Sequence, residues 1–226
     1  MLKRILTSAT CVLGFALASN AQAGPMLDFT DASVWGGVAG VSTFNTTQNG
    51  LNVTLNSSSG NMSFNSLFDG GAGDPNPCGR LLCDGDGIGV GDDEVTVFAG
   101  VGFGESLEVV FNNGPVNLES FDFLDLFGEN GGTADDPAEV AQWLINGGSG
   151  GSATGTAEDP DTTGWLNVGV ATTGVNSITF FANGPISPTN TDFAVAAITT
   201  VPVPATLGLL GVGLVGLGVL SRRRKQ

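Results

Sequence analysis

Short apolar segments alternate with glycine-rich stretches along residues 24–200. In residues 51–55 and 107–111 apolar side chains fall on every second position, which is the period of a β-strand with one buried face. No segment of this region keeps the helical period of about 3.6 residues. Of the 36 glycines in the chain, 30 lie in this region, mostly between apolar segments, where glycine favours turns. The pattern therefore predicts an all-β protein made of short strands.

The apolar segments predict an antiparallel β-sandwich, jelly-roll-like, of about eight or nine strands. The alternation slips near Leu124, so a bulge or a strand break is expected there. Residues 69–91 and 147–164 are rich in Gly and Asp, which predicts two long loops. The region holds one domain by its length. Strands are predicted in residues 51–55, 107–111, 116–127, 141–145, 165–170, 178–181 and 193–198.

The charge of this region is strongly one-sided. All 22 acidic residues lie in it and Arg80 is its only cation, so its formal net charge is −21. Nucleic acid is not an expected partner, because binding it requires Lys and Arg to neutralise phosphates. The chain has no His, which excludes a Ser-His-Asp or Cys-His catalytic device and the usual zinc ligands. We expect a protein that is not an enzyme.

Residues 1–23 have the organisation of a secretory signal peptide. Two cations precede an apolar segment at residues 5–18, and Ala21 and Ala23 form a cleavage site of the A-x-A type. We expect the Sec machinery to export the chain and signal peptidase to cut it between Ala23 and Gly24.

Residues 201–226 form a tail of three parts. Its apolar segment is shorter than the roughly 17–25 residues of a typical spanning helix, so crossing needs help from the preceding Pro-rich segment or from a thinned bilayer. The cations that follow stay in the cytoplasm, which places residues 24–200 outside it. The parts are a motif at residues 201–205 (Val201, Pro202, Val203 and Pro204), a transmembrane segment at residues 206–220 and a basic end (Arg222, Arg223, Arg224 and Lys225).

This order of parts resembles the PEP-CTERM sorting signal of exosortase substrates in Gram-negative bacteria. Pro202-Val203-Pro204 is similar to the Val-Pro-x-Pro variant of the usual Pro-Glu-Pro motif, and the resemblance covers residues 201–226. It implies a transient anchor in the inner membrane, cleavage by an exosortase-like membrane protease, and delivery to the cell surface or the extracellular matrix, with exopolysaccharide or biofilm. The alternative from residue chemistry is a permanent anchor that displays a periplasmic domain.

Cys78 and Cys83 are the cysteines that remain after signal cleavage. In an oxidising compartment such a near pair predicts a local disulfide. The alternative, a redox-active pair, requires the Cys-x-x-Cys spacing, which is absent.

Residues 84–94 are the best candidate for a Ca²⁺ site, because calcium takes six to eight oxygen ligands and this segment is rich in carboxylates and glycine. It is not an EF-hand, since Ile88 and Val95 fall where that loop needs oxygen ligands. The alternative is a solvated acidic loop. The candidate ligands are Asp84, Asp86, Asp92, Asp93 and Glu94.

Three tryptophans are candidates for stacking on sugar rings. For Trp143 and Trp165, which lie in strand-like segments, core or half-buried packing is the alternative. Together with the calcium candidate they define a second hypothesis: a carbohydrate-binding or calcium-dependent adhesion module whose partner is extracellular polysaccharide. The tryptophans are Trp35, Trp143 and Trp165.

Overall fold

The protein consists of short antiparallel strands in the computed structural model, which describes residues 24–66, 68, 77–91, 94–96, 104–128, 138–156, 164–182 and 192–201. The described strands are β1 (Met26–Asp28), β2 (Thr43–Gln48), β3 (Leu51–Ser58), β4 (Met62–Phe64), β5 (Ile88–Val90), β6 (Ser106–Phe111), β7 (Leu118–Leu124), β8 (Val140–Ile145), β9 (Ser149–Thr154), β10 (Leu166–Gly169), β11 (Ser177–Ala182) and β12 (Ala194–Thr200). A short helix, α1, covers Ala32–Trp35, and 3-10 helices cover Gly36–Val38 and Pro77–Gly79.

These strands form two six-stranded sheets. The first has the order β10-β7-β12-β5-β4 with β1 beside β12, and the second has the order β2-β3-β6-β11-β8-β9. The prediction of an antiparallel all-β protein is confirmed. The twelve strands in the described residues exceed the predicted eight or nine, because β1, β4 and β5 are too short to show alternation, and β2 and β9 carry few apolar residues.

The main hydrophobic core lies between the two sheets. Phe121 and Phe123 of β7 in the first sheet meet Phe180 of β11 in the second, with ring centroids 5.0 and 5.8 Å apart. Trp143 of β8 lies 5.4 Å from Phe121 and 6.1 Å from Phe123 between ring centroids. The Phe123–Trp143 pair is stacked and the other three are edge-to-face, and both geometries add to the stabilisation that burial gives. The two sheets therefore pack face to face as a sandwich.

Strand β12 runs through the first sheet and is buried along its whole length. It pairs with β7 on one edge and with β1 and β5 on the other. Val195 and Ile198 belong to the core between the sheets, whereas Ala194, Ala196 and Ala197 belong to a smaller cluster on the outer face, together with Leu81 and Leu124. Small alanine side chains suit this outer face, because the segment that carries the cysteines covers it closely.

Strand β9 corrects one prediction, since it lies inside residues 147–164, which the sequence predicts as a loop. Its neighbour is β8, and Trp143 pairs with Gly151. A Cβ atom on Gly151 would lie 2.5 Å from Cζ2 of Trp143, so only glycine allows the indole ring to lie over this strand. Glycine is depleted in strands generally, and here the close approach of a ring explains its use. Strand β5 likewise lies inside the other predicted loop.

The expected irregularity near Leu124 is a strand end. Strand β7 stops at Leu124, and the next residue, Asp125, has a φ of 53°. This left-handed conformation turns the chain out of the sheet.

Candidate functional site

The two ends of residues 24–201 meet at one edge of the first sheet. Strand β1 pairs with the end of β12 in the register Met26↔Thr199. The carbonyl oxygen of Pro25 accepts hydrogen bonds from the backbone N–H of Thr200 at 3.0 Å and from its hydroxyl at 2.7 Å. The backbone N–H of Val201 then donates to the carbonyl of Asn117 at 2.7 Å. The predicted signal-cleavage point and the start of the predicted sorting motif are therefore neighbours in space.

The opposite edge of β1 is held by side chains from the β2–β3 turn. Gln48 accepts from the backbone N–H of Asp28 at 2.7 Å through Oε1 and donates to the carbonyl of Asp28 at 3.4 Å through Nε2. Asn49 donates from Nδ2 to the carbonyl of Met26 at 2.8 Å. An amide side chain carries the same donor and acceptor as a peptide group, so Gln48 acts like a neighbouring strand. Strand β1 is thus held on both edges.

A charged cluster lies beside this edge on the outer face of the first sheet. Nη1 of Arg80 lies 3.5 Å from Oδ1 of Asp122, and Nη2 of Arg80 donates to the hydroxyls of Ser120, at 3.1 Å, and Thr199. Burial raises the pKa of Asp122, while the hydrogen bond from Asn167 and the charge of Arg80 act in the opposite direction. Sequence reasoning missed this cluster, although a lone cation among 22 acids signals that Arg80 has a specific partner.

A groove of about 530 Å³ adjoins the cluster and reaches the edge where the chain ends meet. Its wall includes Arg80, Glu119 and Asn167, together with Thr199 from β12. Gly24 also lines it, so the amino group created by the predicted signal cleavage belongs to a residue of this groove.

Glu139 and Asp192 form a pair of acids that the sequence did not single out. Burial raises the pKa of Glu139 well above its usual value, and the hydrogen bond with Asp192 and the charge of that residue raise it further. The backbone N–H of Phe127 donates to Oε2 of Glu139 and acts in the opposite direction. Nothing in the spacing of these acids along the chain signals that they meet. The pair holds segments before β8 and β12 together.

The calcium candidates are only partly within the described residues. Asp84, Asp86 and Glu94 are described, whereas Asp92 and Asp93 lie outside the described residues. Across the described ranges, no three His, Cys, Asp or Glu side chains are arranged to hold a metal ion. The backbone N–H of Asp84 donates to the carbonyl of Thr30 at 3.1 Å, so this segment packs against the residues that follow β1.

Cys78 and Cys83 are joined by a disulfide whose Cα atoms are 5.5 Å apart. The segment is tied to the sheet by two further bonds: the backbone N–H of Leu82 donates to Oδ2 of Asp28 at 2.8 Å, and that of Cys83 donates to the hydroxyl of Thr30 at 2.9 Å. The disulfide therefore closes a small loop that docks beside β1.

The tryptophans are placed mainly for packing. Trp35 and Trp143 are buried, so neither offers a ring face to a sugar. Trp165 is half-buried and donates from Nε1 to Oδ1 of Asp122 at 3.2 Å. The packing alternative accounts for these contacts.

The remaining predicted positions lie outside the described residues. They comprise most of the sorting tail and the residues before the signal-cleavage point, whereas Val201 and Gly24 are described. Within the described ranges, no helix has the length and hydropathy needed to cross a membrane. The predicted positions outside these ranges are Ala21, Ala23, Pro202, Val203, Pro204, the segment 206–220, Arg222, Arg223, Arg224 and Lys225.

Comparison with known proteins identifies the C-terminal end. No curated protein matches the chain, and no solved structure does. Residues 200–225 match the family model of the PEP-CTERM protein-sorting motif, so the match starts at the last residue of β12. Such a motif implies an exported protein that an exosortase processes. The chain is therefore a protein with a PEP-CTERM sorting motif at its C-terminal end.

Proposed function

We propose that this protein is a non-enzymatic component of the cell surface or extracellular matrix. The Sec machinery exports it, signal peptidase cuts it after Ala23, and an exosortase-like membrane protease removes its tail near residues 201–205. On this proposal the protein is the substrate of the processing reaction, and Pro202, Val203 and Pro204 are recognised by the protease. The observation that carries the proposal is the sorting-motif match at residues 200–225.

The charge of the predicted ectodomain, residues 24–200, supports a role outside the cytoplasm without catalysis. Its formal net charge of −21 favours solubility and mutual repulsion between copies. Its single cation, Arg80, contacts Asp122, Ser120 and Thr199, so the described contacts give it a structural role. A β-sandwich of this kind suits a structural component of the matrix. The resemblance to the sorting motif adds the proposal that the protein associates with exopolysaccharide or biofilm.

The intact mass of the protein, recovered from the envelope and the medium of its host, tests the proposal. We expect a species that begins at Gly24, ends near the motif and lacks residues 206–220. A species that retains the chain through Gln226 would instead show a permanently anchored protein. Deletion of the gene is expected to change matrix material, measured as polysaccharide and protein retained per cell, without the loss of a metabolic activity.

A further inference from the structure

We propose that β1 is a brace that positions the sorting tail for the membrane protease. This inference rests on the proposed function, because it concerns how the same motif is presented. Pro25 and the strand that follows it bind the last residues of β12, and the motif follows at once. The positioning residues are Pro25, Gln48, Asn49, Asn117 and Thr200.

The tail leaves the fold close to the predicted transmembrane segment. Val201 is the last residue bonded to the fold in the described part of the chain, and the predicted transmembrane segment starts at residue 206. Five residues reach at most about 17 Å when fully extended. The edge that carries Pro25, Asn117 and Thr200 therefore lies close to the bilayer before cleavage. A protease that cuts between this edge and the membrane therefore acts within a few residues of the folded domain.

Three hydrogen bonds fix the chain where the tail begins. Thr200 donates twice to Pro25, and Val201 donates once to Asn117. Without the bonds to Pro25 the end of β12 frays, and each released residue regains conformational freedom. A tail whose first residues are less ordered spends less time in the geometry that the protease requires. Cleavage then slows, because positioning of a reacting bond contributes directly to rate.

The brace is itself held in place by the side chains of Gln48 and Asn49. Gln48 bonds both backbone groups of Asp28, and Trp35 donates from Nε1 to Oε1 of Gln48 at 3.3 Å. Asn49 bonds the carbonyl of Met26 from a turn position whose φ is 52°. Two buried hydrogen bonds from Gln48 and one exposed hydrogen bond from Asn49 thus keep β1 beside β12 after the signal peptide has been removed.

Matched substitutions in the full-length chain test the brace, expressed in a host that carries the protease. Thr200→Val removes the hydroxyl bond to Pro25 and keeps the shape, whereas Thr200→Ser keeps the hydroxyl. Asn49→Gly removes the bond to Met26 and suits the left-handed φ. We expect Thr200→Val and Asn49→Gly to slow tail removal roughly three-fold in a pulse-chase, as the loss of one hydrogen bond would. Thr200→Ser is expected to keep the wild-type rate.

Asn146→Gly is the control for Asn49→Gly. Asn146 has the same φ of 52° in another turn, and its side chain bonds Gly174, Asn176 and Ser177, far from β1 in the sheet order. We expect this variant to lose some thermal stability and to keep the wild-type rate of tail removal. Equal slowing in both glycine variants would show a general effect of stability and would overturn the brace.

A short Gly/Ser spacer between Val201 and Pro202 supplies a test that leaves every bond of the fold intact. We expect slower tail removal and more than one C-terminal mass, because the motif no longer leaves the fold at a fixed point. Unchanged rate and a single cut position would overturn the inference. If the wild-type chain keeps its tail, the proposed function itself is wrong. The failure of the proposed function can therefore be distinguished from the failure of the brace.

Discussion

Arg80 lies 3.5 Å from the carboxylate of Asp122 through Nη1, and Asp122 has no solvent exposure while 37% of the Arg80 side chain is exposed. Oδ1 of Asp122 also accepts from Asn167 at 2.9 Å and from Trp165 at 3.2 Å, whereas Oδ2 has no hydrogen-bond partner among the described residues. Burial raises the pKa of this acid. The lone cation of the ectodomain is therefore used to hold a buried negative charge.

Replacing Arg80 by methionine is expected to lower the free energy of unfolding by about 2 kcal/mol at neutral pH, because a buried carboxylate loses its ion pair. Urea denaturation of the purified protein measures this loss. In an Asp122→Asn background the same substitution should cost much less, since no charge remains to be compensated. Equal costs in the two backgrounds would contradict the role given to the pair.

The pH dependence of Arg80→Met follows from the direction of the shift. The pKa of Asp122 is raised above its ordinary 3.8, and loss of the positive charge raises it further. The native state then binds a proton more tightly than the unfolded state, so stability is gained as the pH falls through the folded pKa. We expect the variant to differ least from wild type in mild acid and most at neutral pH and above.

Glu139→Gln is expected to stabilise the protein at neutral pH. The pKa of Glu139 is raised above its ordinary 4.5 by burial and by Asp192, so folding takes up a proton. Wild-type stability is therefore highest below the unfolded pKa and falls, by at most about 1.4 kcal/mol per pH unit, until the pH passes the folded pKa. A Gln side chain donates to Asp192 and accepts from Phe127 at any pH, because its amide does not have to take up a proton. Urea denaturation midpoints, determined at several pH values from mild acid to neutral, measure the slope of stability against pH.

Glu119→Gln is the control for this charge change, because Glu119 is exposed. We expect it to keep the wild-type slope of stability against pH. If Glu139→Gln also keeps that slope, Glu139 does not have the raised pKa that its burial and Asp192 produce.

Several of the longer strands were predictable from sequence because alternation needs several residues to be visible. Strand β2 is also six residues long, but it carries one apolar side chain, Phe44, and was missed. Strands β6, β8 and β11 alternate buried and half-buried side chains along their lengths, as one-sided burial requires. Strand β12 is buried on both faces, and its apolar run was still recognisable. Strand β9 was not predicted because it is exposed and rich in glycine, so it shows no apolar alternation. Its Gly151 meets the ring of Trp143, its partner on the neighbouring strand β8.

The candidate site was predictable only where it is local. The tail and the cysteine pair are patterns of neighbouring residues, and Cys78 and Cys83 are close in sequence. The hydrogen bond between Pro25 and Thr200 joins residues 175 positions apart, and the one between Arg80 and Thr199 joins residues 119 positions apart. Such contacts depend on the order of strands in the sheet, which periodicity does not specify.

Removing the disulfide is expected to cost about 2 kcal/mol, because the loop it closes is short and restricts the unfolded chain little. In the double variant Cys78→Ser, Cys83→Ser the segment remains attached through Leu82 and Asp28. Urea denaturation measures the loss, and hydrogen exchange is expected to rise only in residues 77–84. Global unfolding of the variant would contradict this local role.

Gly87→Ala is expected to destabilise the protein much more than Gly114→Ala. Both glycines have positive φ, 107° and 96°, so alanine is strained at either position. A Cβ atom on Gly87 would lie 2.6 Å from the carbonyl oxygen of Val195, whereas one on Gly114 meets nothing within 4 Å. The clash forces β12 away from β5 at the pair Val195↔Ile88. We expect losses of about 3 and about 1 kcal/mol in thermal or urea unfolding. Equal losses would mean that β12 moves at no cost, which its burial on both faces argues against.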